Sequence, residues 1–462
     1  MKNNKTLNLI LSFLTAALSG LYGLNANAAG FALIENGASG LGNSYAGAAA
    51  VAEDASTVYF NPAGLTKLKD KQFVFVGHYI DTKVDFTNAG SVATVGGGAI
   101  SGPNSDGGKS SIVPSFFYAD RLNNDWTYGL GITVPFGLGT EYDENWVGRY
   151  HAVKSEISTI NINPSASFKV NDKLSVGFGI NAQYIDVTLT SKLDSAAICQ
   201  ARLAPLAGAL ATACTNAGLT VANVGVSTYD SSQSMTGDDW SLGWNVGLLY
   251  DLSDSTHLGL SYRSNVDHKL MGTVDFTTNA GLQAVLNAAG SSSFSDTGIT
   301  AGIDLPESIA LSISHNVSNN WVIMADATWT KWDRYDELVV DFDNPAQATS
   351  TSARNSENSW RYSVGASYKP DEKRVYRFGL ALDETIIPSA ALRPASSPGN
   401  DRLWVSLGYG YKASKEIQYD IGYAHLFIDD SNINNAHALF GTINGRYEQS
   451  ADILSVQVSW NF

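Results

Sequence analysis

From Gln72 to the last residue, apolar and small or polar side chains alternate with a period of two, in one segment after another. Successive residues of an extended strand point to opposite faces, so each such segment carries one apolar and one polar face. The clearest example sets Leu174, Val176, Phe178, Ile180, Ala182 and Tyr184 against Ser175, Gly177, Gly179, Asn181 and Gln183. Leu403, Val405, Leu407, Tyr409 and Tyr411 repeat the pattern against Trp404, Ser406, Gly408 and Gly410. Ile417, Tyr419, Ile421 and Tyr423 do so against Gln418, Asp420, Gly422 and Ala424. One face suits lipid and the other a polar lumen. The segments number about 14, an even count, as a single-chain bacterial barrel requires.

The connections take turns in length. Short polar ones fall at 122–125, 171–173, 253–256, 318–320, 370–373 and 413–415. Long ones fall near 88–110, 137–153, 191–239, 277–302, 343–352, 385–399 and 429–445. Short periplasmic turns and long extracellular loops are what insertion of a transmembrane barrel produces, whereas a soluble sandwich does not sort its loops by length. Composition agrees: charged residues are 16%, aromatic residues 11%, and there are 43 glycines, which tightly curved strands tolerate. Leu454, Val456, Val458, Trp460 and Phe462 alternate to the chain end, and a final aromatic on such a strand resembles the mark by which outer-membrane assembly machinery recognises its clients.

Ahead of the alternating region stand two different segments. Lys2 and Lys5, the apolar run 7–24 and Ala26-Asn27-Ala28 have the layout of a signal peptide cleaved after Ala28. The run is short for a membrane anchor, which is the competing reading. Residues 29–71 lack alternation and are rich in Gly and Ala, with a turn at Asn61-Pro62-Ala63-Gly64. They also hold Phe31, Leu33, Leu41, Val51, Tyr59, Phe60 and Leu65, too apolar for a solvated tail. The expected organisation is a signal peptide at 1–28, a hatch of short helical turns inside the barrel at 29–71, and an all-β, 14-stranded antiparallel transmembrane barrel at 72–462.

Chemistry is harder to find. Seven histidines are scattered without ligand spacing, and no nucleophile elbow or phosphate loop occurs. Gly129/Gly131 and Gly177/Gly179 are two apart because strands alternate, and Asp238-Asp239 is expected in a solvated loop. No catalytic residue, metal site or cofactor is nominated, and no enzyme is expected. A net charge of −15 argues against nucleic acid as a partner. Cys199 and Cys214 are read as one disulfide in an exported chain, a metal site being the weaker alternative for want of further ligands. Between them, Leu203-Ala204-Pro205-Leu206-Ala207-Gly208-Ala209-Leu210-Ala211 is apolar and helix-compatible. Such an extracellular loop, with Leu203, Leu206 and Leu210, either captures greasy ligands or packs on itself as a roof.

Ala29-Gly30-Phe31, Ser39-Gly40-Leu41-Gly42, Tyr45-Ala46-Gly47, Asp54-Ala55 and Asn61-Pro62-Ala63 together resemble the plug of the FadL/TodX family of outer-membrane hydrocarbon and long-chain fatty acid transporters. The stretch VPFGLGTEYDENWVGRYHA, from Val134 to Ala152, resembles that family's segment after its third strand. Tyr262-Arg263-Ser264, Leu305-Pro306-Glu307 and Trp360-Arg361-Tyr362 match as well, so the resemblance spans the mature chain in order. It implies passive uptake: capture at apolar loops, a hydrophobic pocket reached by the hatch N-terminus, and lateral exit into the bilayer through a gap at the third strand. Phe31 would then lie at the pocket, Asn61, Pro62 and Ala63 would fix the hatch, and Pro135, Phe136 and Gly137 would flank the gap. A proline in a strand marks where pairing stops, which agrees for Pro135.

The resemblance also implies an Arg on strand five and a Lys on strand nine for a ligand carboxylate. Asp186 stands at the first place and Val339 near the second. Either other cations such as Arg263 or Arg361 substitute, or the ligand is uncharged, because a buried carboxylate without a cation costs several kcal/mol. The expected partners are a hydrophobic small molecule, outer-membrane lipids and lipopolysaccharide, and the expected state is a monomer. A surface adhesin or receptor without a transport role is the alternative of a different class.

Overall fold

In the computed structural model, residues 30–68 and 71–462 are described; the expected signal peptide lies outside them, as do Ala29, Lys69 and Asp70 of the expected hatch. Fourteen antiparallel strands close on themselves. They are β1 (Gln72–Asn88), β2 (Ser110–Arg121), β3 (Trp126–Thr133 and Gly137–Glu141), β4 (Lys154–Lys169) and β5 (Leu174–Asp194). Next come β6 (Asp230–Ser253), β7 (Thr256–Arg263 and Val266–Thr277), β8 (Thr297–Leu305 and Ser308–Asn316) and β9 (Trp321–Thr330 and Glu337–Phe342). The wall ends with β10 (Ser350–Ala353 and Ser359–Tyr368), β11 (Arg374–Asp383), β12 (Arg402–Lys412), β13 (Ile417–His437) and β14 (Gly441–Asn461). The closing seam pairs β1 with β14 along its whole length, from Gln72 opposite Asn461 to Asn88 opposite Gly445.

Alternation sorts the two faces as the physics requires. Phe178, Ile180, Leu407 and Val456 are exposed outward, while their neighbours Asn181, Ser406, Ser455 and Gln457 are buried inside. The six short turns fall where the residue pattern puts them. The long connections do not all follow it. The segment expected as a loop at 429–445 is mostly strand, with β13 running to His437 and β14 resuming at Gly441. Likewise β5 and β6 shorten the 191–239 loop from both ends, and Asp238 and Asp239 lie on β6 opposite Asp186 and Ile185 rather than in a solvated loop. Beyond the bilayer the outer face meets water instead of lipid, so the apolar contrast that marks a strand fades, although Ile433, Ile443 and Tyr447 stay buried under the roof.

Inside the wall, residues 30–68 form α1 (Ala38–Leu41), α2 (Thr57–Phe60) and a 3-10 turn (Pro62–Lys67) opened by the Asn61 side chain, which accepts from Ala63 N–H at 3.0 Å. Their backbone lies hard against the strands. A Cβ on Gly247 would overlap the Asn61 amide oxygen, and one on Gly379 would overlap the Asn43 carbonyl group. Inward glycines therefore serve close approach of the hatch as well as curvature.

Above the lumen, the long connections build a roof with its own apolar core. The connection 142–153 contributes Tyr142, Trp146 and Tyr150; that between β5 and β6 contributes α3 (Ser195–Ile198), Leu203 and α4 (Gly208–Asn216). The connection between β7 and β8 adds α5 (Ala280–Ala289), whose Leu282, Val285 and Leu286 are buried. Cys199 and Cys214 are joined by a disulfide within this core.

Candidate ligand passage

Five strands are interrupted, and the interruptions crowd round the N-terminal end of the hatch. That end behaves like a short strand. Leu33 N–H donates to Pro135 O at 2.8 Å and Gly137 N–H donates to Phe31 O at 2.9 Å. The hatch thus occupies the break in β3. Pro135 has no N–H to give, and Phe136 after it is tied to the wall only through the Thr159 hydroxyl of β4, which accepts from its N–H at 3.0 Å and donates to its carbonyl at 2.7 Å.

The Phe31 ring fills an aromatic cage supplied by two of the breaks. Phe136 comes from β3, and Trp332 and Tyr335 come from the turn that interrupts β9, at centroid distances of 6.1, 5.0 and 5.6 Å. All three pairs meet edge to face, the arrangement ring quadrupoles favour.

Two cavities meet at this ring. One, of ≈ 610 Å³, runs from Phe31 outward. The other, of ≈ 160 Å³, lies among Leu138, Val187, Leu189, Leu270, Leu338 and Val340. Both are lined by Phe31, Ile157, Tyr335 and Arg354.

The larger cavity reaches the barrel wall. Pairing between β2 and β3 extends only from Arg121–Thr127 to Phe116–Ile132, and the upper half of β3 pairs with β4 alone. Contact with the β2 side resumes where Glu141 N–H donates to Gly107 O at 3.1 Å. Between these limits Ile112, Val113 and Pro114 face Val134 and Leu138 across the cavity. Pro114 was not singled out from the sequence. It stands beside the gap for the reason Pro135 does, since a proline leaves no donor stranded there.

Below the arm lies a third cavity of ≈ 160 Å³, lined by Glu35, Arg263, Asp326, Arg361, Asp383 and Arg402 among others. Glu35 belongs to the hatch; burial pushes its carboxyl up to about 7, against the pull of Arg402 and Arg361. Arg263 is engaged: it donates to Asn181 Oδ1 at 2.6 Å and Tyr59 O at 2.9 Å, with its guanidinium 4.5 Å from the Tyr59 ring centre. Arg361 donates to Ser44 O at 2.8 Å and covers the Trp404 ring. Both hold the hatch, beneath the apolar cavities rather than in them.

The rest of the hatch is bound by polar groups. Asn61 Nδ2 donates to Leu248 O of β6 at 2.9 Å and to Ala49 O at 2.6 Å, while Pro62 and Ala63 pass over Gly177 of β5. Gln457 of β14 accepts from Ala38 N–H at 2.9 Å and donates to Asp54 at 2.8 Å. Arg377, of which only 2% of the side chain is exposed, bridges Glu53 of the hatch at 2.9 Å and Asp420 of β13 at 2.7 Å.

Other expectations need adjustment. Asp186 is exposed on the outward face of β5, so it does not stand in the pocket; Ile185 and Val187 do. On β9 the pocket receives Leu338 and Val340, not Val339. In the roof, Leu203 is buried at 7% exposure and cannot meet a ligand outside, Leu210 is half-buried, and Leu206 is 70% exposed. The apolar loop is therefore roof first, with Leu206 and Val221 left on its surface.

Comparison with known proteins followed the same lines. The model of a family described as outer membrane protein transport protein (OMPP1/FadL/TodX) matches residues 21–462. Outer membrane protein P1 of Haemophilus influenzae is 31% identical over 414 residues, covering 87% of this chain and 86% of that protein. A long-chain fatty acid transport protein of Escherichia coli O6:H1 is 30% identical over 404 residues, covering 86% of each. The crystal structure of a Pseudomonas aeruginosa FadL homologue superposes with a TM-score of 0.83 at 24% identity, covering 94% of this chain and all of that one.

Proposed function

The chain belongs to the OMPP1/FadL/TodX family of outer-membrane transport proteins, and on that premise we propose that it passes long-chain fatty acids inward without covalent chemistry. The observation carrying this reading is the cavity that runs from Phe31 to the unpaired stretch between β2 and β3. A ligand landing near Leu206 and Val221 moves beneath the roof into the apolar chamber. Burial drives that step, at about 0.8 kcal/mol per CH₂. Displacement of the Phe31 arm from the β3 break then joins the chambers. The ligand leaves sideways between Pro114 and Pro135 into the lipid. The arm is suited to such motion because few bonds hold it: two backbone hydrogen bonds to β3, single contacts from Arg402 to Gly30 O and from Tyr59 to Leu33 O, and the aromatic cage. Asn61, Pro62 and Ala63 keep the hatch body still meanwhile, and no enzymatic step is needed.

Uptake of labelled oleate tests this, in cells lacking their own fatty acid transporter and expressing this chain. Entry that falls several-fold in Phe31→Ala, with the barrel still folded, is the expected result. A folded barrel that admits no oleate would overturn the reading and favour a surface receptor. A second reading, uptake of neutral hydrocarbons, is favoured by one observation: β5 and β9 turn aliphatic side chains, Val187, Leu189, Leu338 and Val340, and no cation to the inner chamber. A labelled hydrocarbon entering where oleate does not would decide for it.

A further inference from the structure

Arg354 lies in the break between the two halves of β10, and it is the guanidinium common to both apolar cavities. Ser350 and Ser352 face the inner chamber and Arg354 continues their even parity, whereas Ser359, Arg361 and Ser363 turn inward beyond the break, where the parity is odd. The change is made just after Arg354: the N–H groups of Arg354 and Asn355 both donate to Asp336 O at 2.7 Å, and Asn355 has φ of 46°, a costly left-handed backbone for a non-glycine residue.

Among the described residues, the Arg354 side chain makes no ion pair and no hydrogen bond, and its Nε is buried without a partner. The other cations lining the larger cavity are answered. Lys109 stands 3.4 Å from both Glu141 and Glu156 and Lys83 pairs with Asp85; Arg402, whose Nε is likewise unpartnered, still has Asp383 at 4.0 Å and donates to Gly30 O. An unanswered guanidinium beside apolar walls is expensive unless an anion arrives.

We propose that Arg354 receives the carboxylate head of the ligand as it passes Phe31, with the alkyl tail against Val187, Leu338 and Val340. This deepens the fatty acid reading and rests on it. The planar guanidinium grips a carboxylate through paired N–H donors, which a neutral hydrocarbon cannot use. Arg354 is then the residue by which this chain tells an amphipathic anion from a plain hydrocarbon, in place of cations at Asp186 and Val339.

The test measures binding of oleate and of methyl oleate, the same tail with an uncharged head, to the purified full chain in lipid nanodiscs. Arg354→Met is expected to weaken oleate binding by about tenfold or more and to change methyl oleate binding by less than about twofold. Arg354→Lys, which keeps the charge and loses the fork, recovers part of the loss. Lowering the pH through the titration of the oleate head should narrow the difference between wild type and Arg354→Met, because a neutral head neither gains from the guanidinium nor suffers from its loss. Equal losses for both ligands would overturn the proposal, because Arg354 would then only prop the chamber. Unchanged oleate binding in a folded Arg354→Met would overturn it too, placing the head elsewhere; in both cases a wild type that binds oleate leaves the transport reading standing. A wild type that binds methyl oleate but not oleate, or neither, would overturn both.

Discussion

The body of the hatch and its N-terminal arm are held to the wall by different means. Below, the hatch body meets the wall through directional groups: Asn61 to β6, Gln457 to Ala38 and Asp54, Arg377 between Glu53 and Asp420. Above, the N-terminal arm is seated mainly by the rings around Phe31, while the roof joins an apolar core and a disulfide to a buried Arg149–Asp230 pair. Hydrogen bonds and ion pairs in an enclosed space fix one geometry, since any displacement leaves a buried polar group bare. Apolar packing is less exacting about direction, and rings can slide or part when another apolar surface replaces them. The difference shows where the hold is directional: the hatch body is fixed by polar bonds to the strands, and its arm more by the packing of rings.

The sharpest way to break this comparison is Arg377→Met. It removes the cation between the buried Asp420 and the more exposed Glu53, which keeps Lys369, and loss of the partner of a buried carboxylate costs about 3–5 kcal/mol. Amide hydrogen exchange should speed up over residues 38–68 while the roof keeps its protection. Faster exchange spread evenly over both halves would mean that they are not separately held.

Next in size is the roof staple. Replacing Cys199 and Cys214 by Ser releases a cross-link across a sequence separation of 15, worth about 3 kcal/mol by chain entropy. Limited proteolysis should open the connection between β5 and β6 and leave the hatch body resistant. If hatch protection falls equally, the roof and the hatch form one unit.

The smallest effect depends on pH. His151 sits in the roof, where burial, helped by His437, holds its imidazole down at about 3. A base whose folded pKa lies below its unfolded value stabilises fully above the unfolded value and less as pH falls towards the folded one. The window therefore runs from about 6.5 down to about 3. Asp230, pushed up to about 6 by burial, acts with the opposite sign in an overlapping range, so the informative quantity is a difference. From about pH 7.5 to about pH 5.5, wild-type roof protection should fall by roughly 1 kcal/mol relative to His151→Gln. A constant difference would take His151 out of the roof's energetics.

Much of this architecture was legible in the residues, for reasons that also explain the gaps. Alternation revealed the strands wherever one face meets lipid, and it failed at Asp238 and Ile433, beyond the lipid, where the outer face turns polar and strand looks like loop. Pro135 announced the break in β3, whereas Pro306 at the break in β8 was read only as part of a family match. The breaks at Trp332 and Arg354 carry no proline, and a parity shift is invisible until both halves of a strand are paired. The family resemblance led towards Phe31 and the β3 break. Asp186 and Val339 fell on the wrong side of their strands, because a shift of one residue reverses the face. Arg354 escaped notice for the same reason.

The inward glycines have a consequence beyond packing. Gly177, Gly247 and Gly379 are places where the wall is hollowed to admit particular atoms of the plug. The barrel strands therefore carry, as missing side chains, a record of what sits within them. A recombinant that joined the first 70 residues of one relative to the barrel of another would combine a cast with a mould from a different pour. Exchange between lineages should accordingly succeed only when plug residues and wall glycines are inherited together.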